Sequence, residues 1–445
     1  MRLATRKQKM LAWVLAMGSL PAAMHAQDGF RAGAGNAVIE IPAAAFPTSD
    51  GFTASHDALH AKVILFDDGK KRVGILVVDQ TSITEESIAR MKEILQQHAK
   101  VAAEDSLVIA SHTFSSPHVI ASFAHSDAER ARLAVLRQSI EGAVADAAQR
   151  AAQNLQPAKM GYGQGASNVN VSRDVETPRG WWLGADAAGY ADHSVHVLRV
   201  DGSDGKPISM LVNYAVQSSI MDHSTMQAGG FETSADLQGE AMRYVEHYYG
   251  DKATSLFLIG AAGDQAPLLM ANRYVQGADG NTTRVDLHDA GFTLVQAEGE
   301  RLGADVVRVA DVISASAGGS IEILRSSFEV DGQKKERGLP NAPLKNYIFE
   351  KEGKVSVPVV VLRVGDLALV GVRGELSARL GVEIRTRSPF KNTMVVTLVD
   401  GGAKYMPDAS SYDRITYEAR NSGYARGAAE ETVTHILQML QSVKH

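Results

Sequence analysis

The sequence predicts an α/β fold in one large domain, with mixed β-sheets flanked by helices and a site at the carboxyl ends of strands. Three observations predict it. Apolar, β-branched runs of strand length alternate with helical stretches that carry their own caps. No linker rich in Pro, Ser or charge, no repeat and no low-complexity tract divides the 445 residues. Finally, His112, Glu375 and Tyr405 each fall just past such a run: Leu107 to Ala110, Leu367 to Val372 and Met394 to Val399. In open α/β sheets the loops beyond strand carboxyl ends converge over a rigid base, so polar residues there make a site.

The first element is a leader. Arg2, Arg6, Lys7 and Lys9 precede an apolar run from Met10 to Met24, the pattern of an export signal, with cleavage expected after Ala26. A spanning helix needs about 20 apolar residues; Pro21, His25 and Gln27 leave this run short. Residues 1–26 are therefore expected to be a signal peptide and 27–445 the α/β domain, exported to the periplasm or secreted. The leader holds four of the 45 basic residues and none of the 51 acidic ones, which takes the formal charge from −6 to about −10. That balance argues against nucleic acid as a partner. With no cysteine, disulfides and thiolate-bound zinc are excluded. At most peripheral membrane contact is expected, and no protein partner is implied.

Ala61 to Phe66 and Val73 to Val78, joined by Asp67-Asp68-Gly69, read as a hairpin. A helix over Glu85 to His98 capped by Thr84 and the strand ending at Ala110 complete a βαβ-like unit, which sets His112 at a strand end. Ser126 and Glu129 form a capping box for an alanine-rich helix that runs to about Asn154, before Pro157. A second hairpin, Val195 to Val200 and Ile208 to Tyr214 around Asp204-Gly205, delivers Gln217 to another strand end. The helix Asp236 to Tyr249 follows, closed by Gly250.

Ser234 opens that helix. Amides and a helix dipole would stand beside its oxygen, a setting for developing negative charge; equally, Thr233 or Ser234 is an ordinary cap. Asp236 reads either as a base for that serine or as a cap acid. The glycines of Gly260-Ala261-Ala262-Gly263-Asp264 let backbone approach a site, with Asp264 orienting a ligand, or they make a tight turn. His56 and His60 have helical spacing but lead into a strand, and His193 and His196 flank a strand start; all four read as surface or structural. GxSxG, HExxH, P-loop and Rossmann patterns are absent, since RAGAGNAV lacks the third glycine.

The segments SHTFSSP, NVNVSRD, LVNYAVQ, TSADLQG, GAAGDQAP, RGE and KYMPDASSYDRITYEA occur in the order of the motifs of the neutral ceramidases, and the chain resembles that family from AGAGNAVIEIP to its last tyrosine motif. The family's members are zinc amidohydrolases that split the N-acyl bond of ceramide. The resemblance implies zinc ligands at His112, Glu375 and Tyr405, a substrate-holding tyrosine at Tyr417, a catalytic serine at Ser234 and an arginine at Arg173, offset by one residue. Two positions depart from the pattern. Phe114 replaces the second histidine of a His-Thr-His motif, and Gln217 replaces a histidine that is itself a ligand. A carboxamide is a weaker metal donor than imidazole. His118 and His223 lie within loop reach of the vacancy.

The expected function is thus hydrolysis of a linear amide, with a small-molecule or lipid substrate of the N-acyl sphingosine kind, by water or Ser234 with metal assistance. Two alternatives stand beside it: a ligand-binding homologue without the zinc site, and a hydrolase of smaller esters, lactones or amides. A chain of this length has no room for the further C-terminal β-sandwich of full-length neutral ceramidases.

Overall fold

The continuous apolar runs become strands buried on both faces, which is what a layered core requires of them. The computed structural model describes residues 29–276, 282–336 and 338–444; the expected leader lies outside them. A nine-stranded mixed sheet runs Thr254–Ile259, Pro207–Tyr214, Ser194–Gly202, Gln156–Ala166, Arg31–Ile39, Leu59–Asp67, Arg72–Val78, Ser106–Ala110, with Ser316–Ala317 alongside Gln156–Ala166. A four-stranded sheet orders Ile321–Gln333, Lys351–Val364, Leu367–Val372 and Asn392–Val396.

Alternation of side chains shows how these layers stack. Along Arg72–Val78, Val73, Ile75 and Val77 point to one side and Leu76 and Val78 to the other. The first set meets Leu362, Leu367, Leu369 and Met394 of the four-stranded sheet in a common core. The second set packs under the helices Glu85–Ala99, Asp127–Gln153, Asp236–Tyr248 and Phe292–Asp311. The outer face of the smaller sheet, including Val359, Val361, Val370 and Val395, is covered by Ala378–Arg387 and Ala428–Ser442. The molecule is a four-layer α/β/β/α sandwich, one domain of mixed sheets flanked by helices.

Local chemistry explains the fit. Thr84 accepts from the Ser87 amide, and the Ser126–Glu129 capping box forms with both of its bonds. A Cβ at Gly33 or Gly35 would stand 2.4 or 2.2 Å from the carbonyls of Ala151 and Ala147. The RAGAG run is therefore glycine where the alanine-rich helix lies against the sheet, and not where a nucleotide would bind. Several boundaries shift from expectation, among them the helix after Ser234, which ends at Tyr248, and the strand expected over Met394 to Val399, which is Asn392–Val396. Past its end, Val399 bridges to Ile109 and Thr397 donates to the Ile259 carbonyl, so these residues join the two sheets.

Candidate functional site

His112, Gln217, Arg173, Glu375 and Tyr405 come from distant segments, and short backbone bridges bring them together. His112 leaves the strand Ser106–Ala110 in a left-handed conformation, φ 65°. Its amide donates to the Gln80 carbonyl, 3.0 Å away. The next residue, Thr113, bridges in parallel to Ser218, which fixes the Gln217 loop beside the His112 loop. Glu375–Leu376 and Tyr405–Met406 form a two-residue parallel pair that sets Glu375 directly opposite Tyr405. Arg173 lies in Asn170–Thr177, whose partner is Gln265–Pro267, and its amide donates to the Asp264 carbonyl, 3.0 Å away.

The GAAGDQAP turn holds this assembly from behind. A Cβ at Gly263 would fall 2.5 Å from the Glu375 carbonyl oxygen, so only glycine lets the two chains meet there. Asp264 accepts from the Ala378 amide at 2.9 Å and anchors the start of the helix that follows Glu375. Burial, only partly offset by these hydrogen bonds, pushes its carboxyl up to about 6. The turn is tight and its Gly263 meets Glu375 closely, but it leads into the strand Gln265–Pro267, and Asp264 bonds the Ala378 amide and the Gln265 side chain.

The polar centre is buried. His112 donates from Nδ1 to the Thr81 carbonyl at 2.6 Å, and its Nε2 lies 3.2 Å from Glu375 Oε2 but off the hydrogen-bond direction. Burial alone would raise the Glu375 carboxyl; His112, Arg173 and Lys404 outweigh it and hold it below the usual range. Arg173 donates from Nε to Glu418 Oε1 at 2.6 Å and from Nη1 to Gln217 Oε1 at 2.8 Å. Its guanidinium carbon sits 4.8 Å from the Tyr405 ring centroid and 5.7 Å from that of Tyr417. Burial disfavours the charge, but Tyr405, Glu418 and Glu375 around it hold Arg173 firmly protonated. Burial also raises the Tyr405 and Tyr417 hydroxyls, so both stay neutral phenols able to donate.

These groups line a cavity of about 570 Å³ together with the apolar Phe52, Phe114, Phe123, Met221, Leu268 and Met270 and with charged side chains such as Asp50, Asp222 and Arg284. Tyr417 closes one side against Trp182, with ring centroids 5.7 Å apart. Ser234 stands apart from this group. It is fully buried, donates to Asp57 Oδ2 at 2.5 Å and accepts from the Asp236 amide at 2.9 Å. It is not among the residues lining the cavity. Asp236 has φ 55° and accepts the amides of Ile220, Met221 and Leu237. Both residues accept amides at the head of their helix, on either side of the N-cap residue Ala235.

His112, Glu375 and Tyr405 come together as the resemblance implies, with His112 Nε2 unpaired beside Glu375, but the fourth expected ligand position holds a carboxamide. Among the described residues no three His, Asp or Glu side chains group as a metal would require. Gln217 is already engaged on both sides. Its oxygen takes the Arg173 bond, and its amino group donates to Glu375 Oε2 at 3.2 Å, the same oxygen that faces His112 Nε2. Flipping the amide would set its N–H groups against a guanidinium and its oxygen against a carboxylate, so the orientation is fixed by charge. Neither loop histidine completes a set. His118 binds Asp50 through Nδ1 at 3.0 Å, and the His223 ring is 66% exposed.

Sequence reasoning missed Glu418, which is 1% exposed and paired with Arg173, and Asp57, the partner of Ser234. Glu418 adjoins Tyr417, a faint signal; Asp57 lies 177 positions from Ser234 and had none. His56 stacks on Phe292, while His193 and His196 are tied to Asn170 and Tyr162, the structural roles expected of those two.

No protein-family model and no curated protein matches this sequence. Solved structures do resemble it, two of them as follows. A ceramidase complexed with C2 superposes with a TM-score of 0.69 and 17% identity over 94% of this chain and 75% of that one. The neutral ceramidase of Pseudomonas aeruginosa gives 0.69 and 17% over 93% of this chain and 74% of that one. The chain thus has the fold of the neutral ceramidases.

Proposed function

We propose that this protein is a hydrolase of N-acyl amphiphiles, acting at the cavity lined by His112, Arg173, Glu375, Tyr405 and Tyr417. The observation that carries this reading is a cavity lined both by the buried groups His112, Arg173, Glu375, Tyr405 and Tyr417 and by apolar side chains such as Phe52, Phe114, Leu268 and Met270, which suits a scissile amide attached to an acyl chain. The ceramidase fold supports it.

In this mechanism the amide carbonyl oxygen lies toward Arg173 and Tyr417. A water attacks the carbonyl carbon and passes its proton to the Glu375–His112 pair, whose imidazole is held by the Thr81 carbonyl. Arg173 and Tyr417 stabilise the oxyanion. The pair returns the proton to the nitrogen, the C–N bond breaks, and a carboxylic acid and an amine leave. Ser234 serves the fold in this scheme and not the attack. No step is assigned to the zinc implied by the resemblance, because Gln217, standing where a histidine ligand is expected, is held by Arg173 and Glu375.

The test is release of free amine from short-chain N-acyl sphingosines by the purified protein in EDTA. Glu375→Gln removes the proton acceptor and is expected to lower kcat at least about 100-fold with the melting temperature held within a few degrees. No release by the parent, with or without zinc, would sink the reading. The replacements at Phe114 and Gln217 favour a second reading, a binding protein without turnover, which the same experiment separates when combined with ligand titration.

A further inference from the structure

We propose that Gln217 is a positioning residue that lets this site hold the carboxylate of a fatty acid without a metal ion, by anchoring Arg173 to Glu375 and leaving Arg173 Nη2 free to receive the anion. The inference rests on the acyl-ligand reading of the cavity.

Three observations support it. First, the carboxamide joins a cation to an anion, accepting from Arg173 Nη1 at 2.8 Å and donating to Glu375 Oε2 at 3.2 Å. A carboxamide carries acceptor and donors on one planar end, so it satisfies both neighbours at once without adding charge. Second, Arg173 is pinned at two of its three nitrogens, by Glu418 at Nε and by Gln217 at Nη1. Nη2 has no hydrogen-bond partner among the described residues, although the side chain is 91% buried. An unpaired N–H at that depth is costly unless a ligand completes it. Third, Arg173 and Gln217 both line the cavity beside Tyr417, so the guanidinium belongs to a wall that an acyl chain can reach.

The arrangement does the work a cation would do at this point, but with a fixed one. The charge of Arg173 is carried by the chain itself, and a charge-assisted bond to a carboxylate is stronger than a neutral one. Gln217 sets its direction. By covering Glu375 Oε2 it also keeps that carboxylate from competing for the guanidinium, because Glu375 is engaged by Gln217 and faces His112.

The test compares decanoate with 1-decanol, a ligand of equal chain length without the carboxylate, by isothermal titration of the whole protein in EDTA. Zinc content after dialysis against zinc is measured by elemental mass spectrometry, and melting temperature serves as the folding control. The parent is expected to bind decanoate in EDTA and to retain no stoichiometric zinc. Gln217→Met, similar in size but without polar hydrogen-bonding groups, is expected to weaken decanoate about 10-fold or more and to leave 1-decanol within about 2-fold. A residue that only supports the fold would lower both together. Gln217→Glu keeps the acceptor for Arg173 but sets a carboxylate against Glu375, and it is expected to lose decanoate as well; it replaces the methionine variant if that one does not fold. Gln217→His is expected to retain more zinc than the parent.

Decanoate binding that vanishes in EDTA and returns with zinc overturns the proposal, as does an unchanged decanoate to decanol ratio in the Gln217 variants. Decanoate binding with no N-acyl hydrolysis fails the hydrolase reading and leaves this inference standing. Hydrolysis in EDTA with the ratio unchanged in the variants does the reverse.

Discussion

Single residues here do opposite things with the same chemistry. Arg173 and Glu375 are buried charges that remain ionised because each has a partner, Glu418 for the first and His112 for the second. Ser234 is a buried hydroxyl whose bonds are both satisfied inside the fold: its oxygen caps the Asp236 amide and its proton goes to Asp57. Burial raises the Asp57 carboxyl, and Ser234 together with the Ala235 amide offsets part of that rise. Ser234→Ala removes a cap and leaves a carboxylate oxygen short of a donor, so it is expected to cost about 1–3 kcal/mol in urea denaturation while decanoate affinity changes little. A loss of hydrolysis of about 1000-fold or more at unchanged stability would instead make Ser234 the nucleophile.

At the scale of elements, the cavity wall is tied to a helix by one acid. Glu298, on the helix Phe292–Asp311, accepts from the Leu269 amide at 2.9 Å, between the lining residues Leu268 and Met270. Its second oxygen has no hydrogen-bond partner among the described residues. Burial pushes this carboxyl up from 4.5 to about 8. A carboxyl raised on folding holds its proton in the native state after the unfolded chain has released it. Stability therefore declines as pH rises through the window between those two values. Glu298→Gln keeps the acceptor for Leu269 and cannot ionise. It is expected to flatten the decline and to be the more stable protein at pH 8, on the order of 2 kcal/mol, as read from melts between pH 5 and 9.

At the scale of the whole molecule, the two sheets share one core, with Leu107 and Ile109 of the larger packed among Leu369, Met394 and Val396 of the smaller. Separating the layers would expose that face of both, so they are expected to unfold together. After removal of the proposed leader, which takes Trp13, the tryptophans are Trp181 and Trp182, and Trp182 packs against Tyr417 at the site. Urea transitions followed by tryptophan fluorescence and by far-UV circular dichroism are expected to coincide. A fluorescence transition well ahead of the dichroism would mean that the site region melts apart from the sandwich.

The sequence by itself determined the α/β class, the hairpins, the helix caps at Thr84 and Ser126, and the placement of His112 and Glu375 beyond strands. Those features rest on local periodicity and short-range hydrogen bonds, which neighbouring residues encode. It also showed that Phe114 and Gln217 depart from the motif. Only the tertiary structure decided what the departure does. Gln217 meets Arg173 and Glu375 across 44 and 158 positions of chain, and the direction of its amide is set by their charges. The same holds for the pairing of Arg173 with Glu418, for Ser234 facing Asp57 and not the cavity, and for the stacking of two sheets into four layers. Such contacts join residues through space, and no pattern along the chain carries them.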